Sequence, residues 1–203
     1  MYRLLPQYLD REELLSVRGR MVARHLVYSP QKSVYARSGF TLEGAPWLFA
    51  GEGPLDELLA EANLACGLPM RFVPEWSSCQ LVRPDSGLEF PWHQDVAALG
   101  ITKPDEKGGI FWIPLDDLTG RMPALAVFDG HTSLLAHVDD GRGVSIIDPM
   151  LKLDGFFNEH RIVYDNLRIG DVVFMDAFQV HETYVPPVCD QPRLSLDVRV
   201  KPI

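Results

Sequence analysis

Two textures of apolar patterning divide the chain. Near the N-terminus, Leu14, Leu15, Met21, Val22, His25 and Leu26 recur at roughly helical spacing. They follow Asp10 and Glu13, which are spaced as in a capping box. A helix over about residues 11–26 is predicted, weakened at Gly19. A second helix is predicted from Pro54, a residue suited to the first helical position. It continues through the stripe Leu55, Leu58, Leu59 and Ala62 and stops at Gly67 and Pro69. Beyond residue 76, short apolar runs alternate with Gly, Pro and Asp turns. The runs are Cys79–Val82, Gly109–Leu115, Ala124–Phe128, Val144–Ile147, Asp171–Met175, His181–Val185 and Leu194–Val200. Runs this short and this evenly punctuated predict a β-sandwich or barrel. The stretch 132–165 is less regular and reads as a long loop or a lid. With no internal repeat, the pattern describes one domain over 1–203, with a helical part at 1–75 and a β-rich core at 76–203.

Composition sharpens this picture. With 203 residues, 46% hydrophobic and 23% charged, the chain can bury a packed core. Its net charge of -9 disfavours nucleic acid and anionic membranes as partners, because phosphate neutralisation needs clustered Lys and Arg. No apolar run is long enough to span a membrane, and Met1 to Asp10 lacks a secretory signal. Cys66, Cys79 and Cys189 are odd in number and far apart, unlike a disulfide framework or a CxxC zinc site. These features together predict a soluble cytoplasmic protein acting on a small molecule. Oligomeric state is not encoded in any of them.

The candidate chemistry centres on Pro91-Trp92-His93-Gln94-Asp95. In extended backbone, residues two apart share a face, so His93 and Asp95 can aim an imidazole and a carboxylate at one point. A third ligand must come from elsewhere, and His181, at the end of a predicted core strand, is the best candidate. Two His and one carboxylate on one face of an octahedral ion leave three positions open, as in non-haem iron(II) oxygenases; zinc and manganese accept similar ligands. Twelve residues past His181 come Arg193 and Ser195. A guanidinium and a hydroxyl two apart on a strand can hold a carboxylate together. Other side chains are weaker candidates. Arg83 could contact an anion. Arg199 shares the Arg193-Ser195-Asp197-Arg199 face by alternation, where it is either a second carboxylate contact or a surface partner of Asp197. Gln80 alternates with Val82 and can face inward. Trp92 and Trp112 either line a pocket or fill the core. His25, His137 and His160 show no partner pattern.

These motifs resemble the phytanoyl-CoA dioxygenase-like family of iron(II)/2-oxoglutarate-dependent oxygenases, over about residues 78–200. The family's HxD…H ligand set falls on His93, Asp95 and His181, and its RxS clamp on Arg193 and Ser195. Val82-Arg83-Pro84, Phe111-Trp112-Ile113-Pro114-Leu115-Asp116-Asp117 and Ala124-Leu125-Ala126-Val127-Phe128-Asp129-Gly130-His131 match in texture. The turn at Asp129-Gly130-His131 lacks the family's usual Pro and Ser, so no role carries to His131. The resemblance implies a double-stranded β-helix, a cupin-like jelly roll with N-terminal helices packed on one sheet. It also implies Fe(II), with 2-oxoglutarate and O2 as cosubstrates, in a dioxygenase that oxidises a small molecule and releases succinate and CO2. Asp95 stands where the family's halogenases carry a small residue, which favours hydroxylation or a related oxidation. Two alternatives stand beside this reading: a cupin-like oxygenase or isomerase that ignores 2-oxoglutarate, and a noncatalytic metal or 2-oxoglutarate sensor. Substrate specificity lies in loops, which carry little readable code.

Overall fold

The computed structural model describes residues 1–27, 39–51, 53–84, 90–141 and 145–203. Its larger sheet is antiparallel and seven-stranded, in the order β1-β10-β5-β12-β4-β2, with β3 also pairing β12. These strands are β1 (Tyr2–Leu5), β2 (Gly39–Thr41), β3 (Met70–Phe72), β4 (Ser78–Val82), β5 (Gly109–Pro114), β10 (Val172–Asp176) and β12 (Arg193–Pro202). A smaller sheet has the order β11-β6-β9, formed by β6 (Ala124–Phe128), β9 (Arg161–Tyr164) and β11 (His181–Tyr184). A hairpin of β7 (His137–Asp139) and β8 (Ser145–Ile147) stands apart.

Alternation along the central strand explains the layering. On β12, Leu194, Leu196, Val198 and Val200 face one way and join a core with Phe111, Ile113 and Phe174. Two helices cover that face, α1 (Arg11–Val27) and α2 (Leu58–Cys66), through Leu14, Val17, Met21, Leu58 and Ala62. The Asp10 carboxylate accepts the Glu13 amide at 2.9 Å, capping α1 as the spacing predicts. Arg11 then grips Asp117 through two bonds at 2.8 and 2.7 Å, and Arg18 reaches Asp116 at 2.8 Å. Helix α1 is thereby tied to the chain just beyond β5. Among the described residues, no helix is long and apolar enough to cross a membrane.

Several expectations need correction. Residues before 76 are not purely helical, since they supply β1, β2 and β3 to the larger sheet. The second helix starts at Leu58 rather than Pro54. The preceding turn closes through three-residue bonds, Asp56 to the Gly53 carbonyl and Leu58 to the Leu55 carbonyl. Its end matches expectation, with Gly67 left-handed at φ 72°. The irregular stretch 132–165 holds β7, β8, a short helix α3 (Asp154–Glu159) and β9. Val144 and the side chain of His25 lie outside the described residues.

Gly109 opens β5 at a close approach. A Cβ there would stand 2.7 Å from the Phe174 ring and 3.0 Å from the Met175 carbonyl. Phe174 is itself core, so it has nowhere to move. Gly109→Ala should therefore lower unfolding free energy by about 1–3 kcal/mol, as overpacked cores do, read as a lower denaturant midpoint at unchanged slope.

Candidate metal and dicarboxylate site

The inner face of the larger sheet and the smaller sheet enclose one cavity. Its wall includes Gln80 from β4, Ile110 and Trp112 from β5, Leu125 from β6, and His181 and Thr183 from β11. Arg193, Asp197 and Arg199 come from β12, and Phe90, His93 and Asp95 from the segment before Val96. Register accounts for this gathering. Gln80 pairs with Ser195, Trp112 with Asp197, and Ile110 with Arg199, and directly paired residues share a face.

His93 and His181 form an isolated antiparallel bridge, each amide donating to the other's carbonyl at 2.9 and 3.0 Å. The bridge sets the imidazoles side by side, with ring centroids 4.1 Å apart. Each ring then meets the carbonyl two residues before it. His93 Nδ1 lies 2.8 Å from the Pro91 oxygen, and His181 Nδ1 lies 2.9 Å from the Gln179 oxygen. A carbonyl can only accept, so Nδ1 carries the proton in both neutral rings and Nε2 keeps its lone pair. Metal-binding histidines are commonly prepared in this way. Burial and the neighbouring His181 ring push the His93 imidazole down to about 3, against the pull of Asp95 and the Pro91 carbonyl.

Asp95 completes the group. Its Oδ2 is buried without a hydrogen-bond partner and stands 3.5 Å from His181 Nε2. Two donor atoms held cis by one ion at ~2.1 Å stand about 3 Å apart, so this spacing needs little closure. Burial raises the Asp95 carboxyl, but Arg199 and the two imidazoles outweigh it and hold the group at about 2. Among the described residues, no three His, Cys, Asp or Glu side chains already stand close enough together to hold a metal ion. The donor types of His93, Asp95 and His181, and the orphaned Asp95 oxygen among them, fit a divalent ion.

Farther along β12, Arg193 is buried at 3% exposure. Its guanidinium carbon lies 5.1 Å from the centre of the Trp112 ring, and Nε has no partner. Burial lowers it to about 10, with Asp197 and Asp116 pulling the other way, so it remains a cation at neutral pH. Ser195 is fully buried and its Oγ also lacks a partner. Buried polar groups are usually satisfied, so two orphans on adjacent positions of one face point to an absent acceptor.

Not every expected residue joins this cavity. Arg83 is exposed and lines a separate groove with Arg18, Asp116 and Gln191. Trp92 points away, as alternation with His93 requires. It packs on Phe157 with ring centroids 5.6 Å apart and donates to Asn158 at 3.3 Å. Arg199 does face the cavity, but its guanidinium is committed to Asp95, at 3.1 Å from Nε and 2.6 Å from Nη2. It is therefore neither a free carboxylate contact nor a surface partner of Asp197. Gln80 faces inward and donates to Ser78 at 2.8 Å.

Other residues went unread in the sequence. Gln94 is buried at 1% exposure, and its amide donates to the Ser133 and Phe178 carbonyls at 2.9 and 2.7 Å. Its Oε1 accepts the Leu135 amide at 3.0 Å, pinning the 132–135 segment behind the His93–Asp95 segment. His137 has a partner after all, since its Nε2 accepts the Gln94 amide at 3.3 Å. A glutamine between two inward donors was the available signal. Asp197 lines the cavity with Oδ1 buried and unpartnered, and burial raises its carboxyl.

A scan of protein-family models finds no match to the chain, and a search of curated protein sequences finds none. Solved structures do share its fold. EvdO2 from Micromonospora carbonacea var. aurantiaca, complexed with 2-oxoglutarate, matches with a TM-score of 0.70 at 19% identity, covering 100% of this chain and 86% of EvdO2. The epimerase SnoN, in complex with Fe3+, alpha ketoglutarate and nogalamycin RO, matches with a TM-score of 0.68 at 18% identity, covering 99% and 78%. EctD from S. alaskensis, with 2-oxoglutarate and 5-hydroxyectoine, matches with a TM-score of 0.70 at 15% identity, covering 100% and 72%. These likenesses establish the fold, a mainly β double-stranded β-helix with helices on one sheet. The chemistry must be argued from the residues.

Asp95 has a structural role besides any ligand role. Removing it takes from the buried Arg199 the carboxylate it is paired with. Asp95→Ala should destabilise the metal-free protein by about 3–5 kcal/mol, the usual cost of breaking a buried pair from one side. His93→Ala should cost less than half of that, since no buried charge loses its partner. Chemical denaturation of both variants in chelator measures the difference.

Proposed function

We propose that the chain is a non-haem iron(II)/2-oxoglutarate-dependent dioxygenase that oxidises a small molecule. The observation that carries this is a single cavity with unmet polar demand at both ends. At one end are Nε2 of His93 and His181 with the orphaned Oδ2 of Asp95. At the other is the orphaned Nε of Arg193, with the fully buried and orphaned Oγ of Ser195 two residues on along the same face of β12, outside the cavity lining. A 2-oxo acid with a second carboxylate would meet both demands. Iron(II), held by His93, Asp95 and His181, would supply the activation of O2. The chain's own residues do the rest. The two carbonyl-bound imidazoles hold their tautomers, Arg193 and Ser195 orient the distal carboxylate, and Trp112 backs the guanidinium. Ile110, Leu125, Phe90 and Thr183 exclude water around the reacting centre.

Within this class we favour the phytanoyl-CoA dioxygenase-like branch, on the HxD…H…RxS order, and hydroxylation with one succinate and one CO2 per coupled turnover. SnoN and SnoK are named as an alpha-ketoglutarate-dependent epimerase and carbocyclase, so product analysis must separate oxygen insertion from those outcomes. Cytoplasmic action suits the three free cysteines. With Asp95 in the carboxylate position, the wild-type protein should give no chlorinated product in chloride buffer; mass spectrometry of turnover mixtures checks this.

Arg193 separates a 2-oxoglutarate enzyme from a metal protein that ignores it. Truncating a buried guanidinium that faces a carboxylate costs about 2–5 kcal/mol. Arg193→Ala should therefore raise the 2-oxoglutarate requirement roughly 30-fold or more. Arg193→Lys should recover part of it, because a point charge lacks the fork. The readouts are the anaerobic absorption band of the iron(II)–2-oxoglutarate complex and succinate release in air. Equal 2-oxoglutarate dependence in wild type and Arg193→Ala, or metal-dependent turnover indifferent to 2-oxoglutarate, would reject the proposal.

A further inference from the structure

Arg199 is held more firmly than a cavity-lining arginine needs to be. Its backbone amide donates to Ser77 Oγ at 2.8 Å, and that hydroxyl donates to the Val73 carbonyl at 2.8 Å. The Arg199 carbonyl in turn accepts the Val73 amide at 2.9 Å. Nη1 donates to the Trp76 carbonyl. The side chain is 4% exposed. Nε and Nη2 both donate to one atom, Asp95 Oδ1. The other oxygen, Oδ2, receives no hydrogen bond although it is buried, and it is the oxygen facing His181 Nε2.

A carboxylate beside a divalent ion can bind through one oxygen or through both. The difference matters when positions on the ion are scarce. One-point ligation by Asp95 with two imidazoles leaves three positions. A two-point carboxylate takes one of those, leaving room for a chelating 2-oxo acid but none for a second cosubstrate. We propose that Arg199 is a positioning residue that occupies Asp95 Oδ1 so that the carboxylate offers the metal Oδ2 alone, keeping the third position open. This rests on the metal-site reading above and extends it to a residue outside the ligand set. The same contact aims Arg199 at Asp95, while Arg193, six residues back on the same face, has an orphaned Nε.

Manganese(II) is a suitable probe because it accepts His and carboxylate ligands and reports its bound waters through water-proton relaxation. The comparison covers wild type, Arg199→Met, Arg199→Lys and Asp95→Ala, each titrated with Mn(II) without cosubstrate. Wild type should show three exchangeable waters. Arg199→Met frees Oδ1 and should show two, and Arg199→Lys, which keeps a cationic donor, should return to three. Asp95→Ala should bind Mn(II) at least ~30-fold more weakly, a loss of about 2 kcal/mol. Two waters in wild type, or three in Arg199→Met, would overturn the positioning role. Wild-type Mn(II) affinity in Asp95→Ala would instead overturn the metal-site reading itself.

Discussion

The backbone bridge between His93 and His181 is the contact on which the site depends. It joins a segment that belongs to no regular strand to the first residue of β11, through two hydrogen bonds of ordinary length. One pairing event brings together residues far apart in sequence and fixes two imidazoles in one register. A slip of a single residue would turn both donors away from the cavity. The support around the bridge guards against that slip. Gln94 locks the intervening backbone to the 132–135 segment, and each ring is anchored to the carbonyl two residues before it.

Strand β12 supplies the second half of the design. Its outward residues build the helix-covered core, while its inward residues place Arg193, Ser195, Asp197 and Arg199 in a row. The row holds two cations, a hydroxyl and a carboxylate, and its two cations differ in use. Arg199 is spent on Asp95, whereas Arg193 reaches an aromatic ring and has no acidic partner within hydrogen-bond reach among the described residues. A strand buried on both faces is a rigid support, which suits a site needing donors held in fixed geometry. A carboxylate flanked by these cations, Asp197 keeps one oxygen unmatched in the same cavity.

Much of this was legible in the sequence. Alternation in His93-Gln94-Asp95 and along Arg193 to Arg199 predicts which residues share a face, and the structure brings His93, Asp95, Arg193, Asp197 and Arg199 to one cavity, with Ser195 buried just outside its lining. The strand spans read in the second half agree to within a residue or two, because short apolar runs between turns leave little freedom, but β7 and β9 fall in the 132–165 stretch that reads as a loop or lid. Strands β1, β2 and β3 were not legible. They are three or four residues long, and their burial comes from partners distant in the chain. The partner of Arg199 was equally hidden. Alternation gives the face a side chain occupies, whereas which charge it meets there depends on a crossing between distant segments. Arg83 and Trp92 lie outside the cavity: alternation with His93 turns Trp92 toward Phe157, and Arg83 opens on a separate groove.

The central claim is that one ion and one dicarboxylate share this cavity. The most direct measurement is an anaerobic crystal structure grown with iron(II) and 2-oxoglutarate, with anomalous data at the iron edge. The account predicts one iron peak at ~2.0–2.2 Å from Nε2 of His93, Nε2 of His181 and Oδ2 of Asp95, with the distal carboxylate of 2-oxoglutarate on Arg193 and Ser195. An iron peak elsewhere, or 2-oxoglutarate bound away from Arg193, would contradict it.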